Sequence, residues 1–163
     1  MDTREYRILI TGASGLLGAN LVQLAPPQWQ ITALTSTHPI LSPPPGVVPI
    51  PADLLAEDIE RVVAAQEPFD AIIHAAASTD VNRCEREPAF AKTLNTDLAI
   101  VVARYASARG IHLVHISTDH IFDGREGSYT EASVPHPVNV YAATKLAAEE
   151  GVRAAGGIHT IVR

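Results

Sequence analysis

Tyr141 and Lys145 stand four residues apart in a segment whose pattern predicts a helix over residues 140–155, so their side chains share a face. An ammonium held beside a phenol makes the phenol a better proton donor or acceptor near neutrality. Thr118 adds a hydroxyl at the carboxyl end of a strand predicted over residues 112–117. A hydroxyl there can hydrogen-bond a carbonyl oxygen while the phenol protonates it and a hydride arrives from a nicotinamide. Each feature also has an ordinary reading: a Tyr–Lys pair at this spacing is common on solvated helix faces, and a strand-end threonine often bonds its own backbone.

A third element of chemistry lies near the amino terminus, in Thr11-Gly12-Ala13-Ser14-Gly15-Leu16-Leu17-Gly18. Glycines at three-residue intervals let the chain bend sharply and approach a pyrophosphate, and the amides of a following helix favour the anion. The spacing is GxxGxxG rather than GxGxxG, and a glycine-rich turn without a ligand is the alternative. At the end of the next predicted strand, Leu34-Thr35-Ser36-Thr37-His38 carries no acid to repel a ribose 2′-phosphate and no arginine to bind one. The cofactor expected is therefore NADP(H) or NAD(H), with the lean toward NADP(H).

These groups need a scaffold that brings them to one edge. Residues 6–11 read as a strand ending at Gly12, and residues 15–25 as a helix with Leu17, Leu21 and Leu24 on one side, closed by Pro26-Pro27. Strands follow at 31–34, 47–50 and 71–74, with a helix over 57–65 that carries Ile59, Val62 and Val63. A long helix over 88–109 places Phe90, Leu94, Leu98, Val101 and Tyr105 in register and ends at Gly110. After the strand at 112–117 come a loop over 119–139, the helix at 140–155 and a last strand at 158–162. Strands alternating with helices predict an α/β fold, a Rossmann-type doubly wound parallel sheet with ligands at the strands' carboxyl ends.

The composition agrees with one globular domain: 163 residues, 47% apolar and 18% charged. A formal net charge of -6 offers no general attraction to nucleic acid or to an anionic membrane. No apolar run approaches the roughly 18 residues of a membrane span. Met1 is followed by Asp2, Arg4, Glu5 and Arg7 rather than by a leader-like apolar stretch, and the single cysteine, Cys84, has no partner for an internal disulfide. A cytoplasmic setting is expected. His74 and Cys84 read as structural, since neither has the neighbours of a metal or nucleophile site, and no metal is expected.

Together with His74-Ala75-Ala76-Ala77, Ser117-Thr118-Asp119-His120-Ile121-Phe122-Asp123-Gly124 and Asn139-Val140-Tyr141-Ala142-Ala143-Thr144-Lys145, the glycine turn resembles the extended short-chain dehydrogenases/reductases, in particular the dTDP-4-dehydrorhamnose reductase family. The resemblance implies Thr118, Tyr141 and Lys145 as the catalytic trio of a reductase acting on a 4-keto nucleotide sugar. It implies Gly12, Ser14, Gly15, Leu16, Leu17 and Gly18 around the cofactor pyrophosphate, Asp53 and Leu54 on the adenine side, and Ala75, Ala76 and Ala77 as a backbone wall. Tyr141 and Lys145 would also touch the cofactor. Asn95 matches a polar family position near the active centre, with a helix-packing amide as the alternative.

The sequence departs from the family pattern at Asp80 and Asn82, beside Thr79 and Val81, and at His120, where a tyrosine is usual. Family members also continue beyond the strand that ends at Arg163, so residues 1–163 are expected to be an NAD(P)-binding domain without the C-terminal substrate region. Apolar surface uncovered at that edge would invite self-association, such as a homodimer. The rival reading is a non-catalytic NADP-binding regulatory protein, because the methionine adenosyltransferase beta subunit shares the same look.

Overall fold

Six strands make up one sheet: β1 (Tyr6–Thr11), β2 (Trp29–Thr35), β3 (Val47–Pro51), β4 (Ala71–His74), β5 (His112–Ile116) and β6 (His159–Val162). The computed structural model describes residues 4–36, 38–55 and 58–163. Every neighbouring pair is parallel, in the order β3-β2-β1-β4-β5-β6. The chain winds outward in one direction to β3 and in the other from β4. The reversal leaves a crevice beyond the carboxyl ends of β1 and β4, where ligands bind in this architecture.

The described residues also form helices α1 (Leu16–Leu24), α2 (Ile59–Val63), α3 (Val81–Arg86), α4 (Pro88–Lys92), α5 (Leu98–Arg109) and α6 (Val140–Ala155). Strand side chains alternate between faces, and both faces are buried. Leu9, Ile72 and Leu113 pack against Leu98, Val102 and Tyr105 of α5 and Val152 of α6. Ile8, Ile10, Ile31, Ala33 and Ile73 pack with Val22 of α1 on the other side. Each such Ile or Leu removed from water stabilises the fold by roughly 1.5–3 kcal/mol.

Two helices differ from their sequence patterns for physical reasons. In α1 the buried residues are Gly18 and Val22, while Leu17 and Leu24 are 43% and 80% exposed. The backbone contact of Gly18 with the bend at Gly12, rather than the leucine stripe, sets the rotation of this helix. The predicted helix over 88–109 is α4 and α5 joined by a π turn at Thr93–Asp97. Leu98 and Tyr105 are buried as the pattern expects, while Val101 is 46% exposed and Ala99 and Val102 are buried beside them.

Short α3 was not part of the sequence pattern; its cap is Asp80, whose carboxylate accepts from Arg83 N at 2.9 Å. Of the helix expected over 57–65, Glu57 lies outside the described residues, and α2 begins at Ile59 and continues as a 3-10 turn at Ala64–Gln66.

Towards the carboxyl ends of β1, β4 and β5 the apolar alternation on the α5–α6 face gives way to polar residues. Thr11, His74 and His115 are buried there, and buried Asn95, Thr96, Thr144, Lys145 and Glu149 belong to the helical segments above. This polar layer forms the floor of the crevice.

Candidate active site

The glycine bend is built as the residue types require. Gly12 has φ +68, and a Cβ there would lie 2.7 Å from Ala76 N and Cα. A Cβ on Gly18 would run into the Gly12 carbonyl oxygen and lie 2.7 Å from Ala13 Cα. Gly15, whose N donates to Gly12 O at 3.0 Å, is the N-cap of α1 and offers no side chain to its free amides. No acid stands in the first turn of α1. An anion approaching this nine-residue helix thus meets unoccupied donors and no like charge. Leu16 and Leu17, at its opening turn, are exposed. The bend fits a pyrophosphate, and Ser14 lies within it.

The backbone after β4 closes against the same bend. Ala75 N donates to Thr11 O at 3.2 Å and Ala76 N to Thr11 Oγ1 at 3.3 Å. Ala75, Ala76 and Ala77 are half-buried, forming a wall beside the bend. On the far side of β1, Ala52 N donates to Thr35 O at 2.8 Å, which brings the residues after β3 to the end of β2. There Asp53 accepts from Leu55 N at 3.0 Å, and Leu54 packs against the core. Of the stretch that would select between cofactors, Thr35 is buried and Ser36 exposed, and Thr37 lies outside the described residues.

Thr118, Tyr141 and Lys145 gather around the end of β5. Asn139 caps α6, its Oδ1 accepting from Ala142 N at 2.8 Å, and the α6 amide of Val140 donates to Glu85 Oε1 of α3 at 2.7 Å. A capped and anchored start fixes Tyr141 in the first turn. Lys145 Nζ donates to Ile116 O at 2.6 Å. Thr118 Oγ1 accepts from His120 N at 3.2 Å, and its contact with Asp119 Oδ1 is a long 3.5 Å. The His120 ring meets the Tyr141 ring edge-on, with centroids 5.7 Å apart. His120 therefore touches both Thr118, through its backbone, and Tyr141, through its side chain.

The floor beneath these groups is tightly bonded. Asn95, in the π turn, accepts from Ser78 N at 2.7 Å and donates to Ser78 O at 3.2 Å and Thr144 Oγ1 at 3.1 Å. Its amide thus bridges the loop after β4 to α6, as a packing group. Thr11 Oγ1 lies 2.7 Å from His74 Nδ1 in the buried floor. Cys84 is buried with its thiol turned to Ser78. No metal-holding cluster of His, Cys, Asp and Glu exists among the described residues.

Burial sets the charges in this layer. It pushes the Lys145 ammonium down to about 8, opposed by the Glu149 carboxylate. It pushes His115 down to about 3, helped by Lys145 and opposed by Glu149. His74 is lowered well below the usual imidazole range by burial, then by His115 and Lys145. For Glu149 burial works the other way, but hydrogen bonds from Arg163, Ser117 and Arg153 prevail and hold its carboxyl below the usual range.

Ser117, Glu149, Arg163 and His115 were missed by sequence reasoning. The spacing of Tyr141, Lys145 and Glu149 at i, i+4 and i+8 was the available signal for Glu149. Nothing local marked Arg163 or His115.

The RmlD substrate binding domain profile matches residues 6–163. The dTDP-4-dehydrorhamnose reductase of Mycolicibacterium smegmatis is 34% identical over 166 residues, covering 100% of this chain and 46% of its own length. The methionine adenosyltransferase 2 subunit beta of Xenopus laevis is 33% identical over 149 residues, covering 90% and 42%. The crystal structure of the Bacillus anthracis dTDP-4-dehydrorhamnose reductase in complex with NADP superposes with a TM-score of 0.81 at 32% identity, over 98% of this chain and 53% of that one. The chain spans about half the length of the curated relatives it matches.

Proposed function

The chain belongs to the RmlD substrate binding domain family, and from that premise we propose that residues 1–163 are an NAD(P)-binding Rossmann domain serving the reduction of a 4-keto nucleotide sugar, as in dTDP-4-dehydrorhamnose reductase. The observation that carries this reading is the placement of the glycine bend, the Ala75–Ala77 wall and Thr118 at the ends of adjacent parallel strands β1, β4 and β5, with Tyr141 and Lys145 leaning over the last. The amides of α1 and the bend at Gly12, Gly15 and Gly18 hold the pyrophosphate, with Ser14, Leu16 and Leu17 alongside. Asp53 and Leu54 lie on the adenine side. The absence of an acid at Thr35 and Ser36 favours NADP(H) over NAD(H).

When bound, the reduced nicotinamide supplies a hydride to the keto carbon. The Thr118 hydroxyl donates a hydrogen bond to the keto oxygen, and Tyr141 gives that oxygen its phenolic proton, so that an alcohol forms. Lys145 would orient that step and place positive charge beside the resulting phenolate. The substrate is a small nucleotide sugar, and a cytoplasmic setting suits it. No helix among the described residues is long and apolar enough to cross a membrane. Self-association to a homodimer belongs to this reading as well.

Fluorescence titration with NADPH and NADH, followed by turnover of a dTDP-4-keto-deoxysugar with Tyr141→Phe as control, tests the proposal. Turnover lost in that variant while cofactor binding persists is the expected outcome. Similarity to the Xenopus regulatory subunit supports a second reading, a non-catalytic NADP-binding subunit. Tight NADPH binding with no turnover that depends on Tyr141 would fit it, and equally a domain that spans only about half the length of its reductase relatives.

A further inference from the structure

Glu149 lies one helical turn beyond Lys145 and two beyond Tyr141, on the same face of α6. It is fully buried, and its two oxygens accept four hydrogen bonds. Oε1 takes Ser117 Oγ at 2.6 Å and Arg163 Nε at 3.0 Å, while Oε2 takes Arg163 Nη2 at 2.7 Å and Arg153 Nη2 at 3.0 Å. Ser117 directly precedes Thr118, and Arg163 directly follows β6. One carboxylate therefore ties α6 to the ends of two strands.

A second tie lies one turn back, from Lys145 Nζ to Ile116 O. Two consecutive residues at the end of β5, Ile116 and Ser117, are thus gripped by two consecutive inward positions of α6. Stability alone does not account for such an arrangement, because well-packed apolar groups commonly serve as well as a buried ion cluster. The arrangement does fix where Tyr141 and Lys145 stand relative to Thr118.

We propose that Glu149 is a positioning residue, its buried carboxylate locking the Tyr141–Lys145 face of α6 to the strand end that carries Thr118 and supplying the counter-charge to Lys145. The consequence for turnover rests on the reductase reading given above; the counter-charge rests on Lys145 and Glu149 standing one turn apart on the same buried face of α6. The titratable groups facing Lys145 are His115 of β5, His74 of β4 and Glu149 of its own helix. Those facing Glu149 are Arg153, Arg163, Lys145 and His115, with Glu131 beside Arg163. Glu149 is the acid that opposes burial at Lys145.

Lys92 and Lys145 are the chain's two lysines. Lys92 pairs with Asp97 at the surface, so NMR of the full chain labelled with 13Cε-lysine, without cofactor, gives one reporter and one internal control. Glu149→Gln is expected to move the Lys145 midpoint down by about one pH unit or more, with Lys92 unmoved and Glu149→Asp recovering most of the shift. An unmoved Lys145 signal in a folded Glu149→Gln variant overturns the proposal. Should that variant lose its native circular dichroism, Glu149→Asp decides against wild type: withdrawing the charge by one methylene must produce a smaller downward shift, and none overturns the proposal. In turnover assays the alkaline fall of kcat/KM should move down with Lys145 in Glu149→Gln. A chain whose Lys145 shifts as expected keeps the counter-charge whether or not it turns over a keto sugar, and a failure of Tyr141-dependent turnover bears on the reductase reading alone.

Discussion

His74 and His115 face each other across the β4–β5 pairing, their rings stacked with centroids 5.5 Å apart and planes 21° from parallel. Both are buried, and His115, with both ring nitrogens, and His74, with Nε2, have no hydrogen-bond partner for those atoms among the described residues. Such a pair is tolerable only while neutral, since protonation would place an imidazolium in a low-dielectric layer beside the Lys145 ammonium.

This pair makes stability depend on acid. The folded pKa of each histidine lies below its unfolded value, so the unfolded chain binds more protons. Stability is complete above about pH 6.5 and is lost as pH falls toward the folded value, at up to about 1.4 kcal/mol per pH unit per histidine. Urea melts between pH 7 and pH 5 should show this slope, and His115→Phe should roughly halve it. A variant slope equal to that of wild type would contradict the assignment.

Gly15 and Gly18 should separate binding from folding. Gly18→Ala drives a methyl into the Gly12 backbone and is expected to cost about 1–3 kcal/mol of stability. Gly15 has an ordinary φ of -73, and its added Cβ would sit 3.2 Å from Gly12 O, within the proposed pyrophosphate bend. Gly15→Ala should melt within about 1 kcal/mol of wild type yet bind NADPH at least several-fold more weakly. Equal NADPH affinity in Gly15→Ala would argue that no pyrophosphate sits on this bend.

Tyr141→Phe should reduce kcat by about 10²–10⁴, the usual worth of a positioned general acid, with NADPH affinity changed little. Single-turnover measurement with saturating NADPH checks this. Retention of more than a tenth of wild-type kcat would remove Tyr141 from the proton transfer.

Thr118 has a structural task as well as its proposed catalytic one, since it caps the 3-10 turn Asp119–Ile121 through His120 N. Thr118→Val should therefore cost about 1 kcal/mol in stability and lower kcat by about 10². Thr118→Ser should restore both quantities. Recovery of stability without recovery of kcat would mean that the hydroxyl serves the turn alone.

Asn95→Ala would strand the Ser78 amide that its side chain now satisfies. A loss of about 1–3 kcal/mol is expected by thermal or urea denaturation. A neutral result would mean that the loop after β4 finds its partners elsewhere.

Much of this was legible in the residues. Strands β1 and β4, the start of β5 and helix α6 lie where the apolar runs and caps put them, and Gly12, Gly15 and Gly18 sit where a bend needs them. The pattern misled at α1, where a backbone contact of Gly18 sets the buried face, and at Thr93–Asp97, where a π turn interrupts the helix expected to be continuous. Neither leaves a mark in hydrophobic periodicity.

Residue order was enough to read the alternation of strand and helix, the glycine bend, and a hydroxyl, a phenol and an ammonium at spacings suited to one crevice. These are local properties, written in neighbours a few positions apart. Which buried groups surround Lys145 follows from the winding of the sheet, because Thr11, His74, His115, Glu149 and Arg163 are far apart in the chain and meet through the parallel pairing of β1, β4, β5 and β6. Charge in a buried layer depends on what is nearby in space, and that distance is fixed by how the sheet is wound.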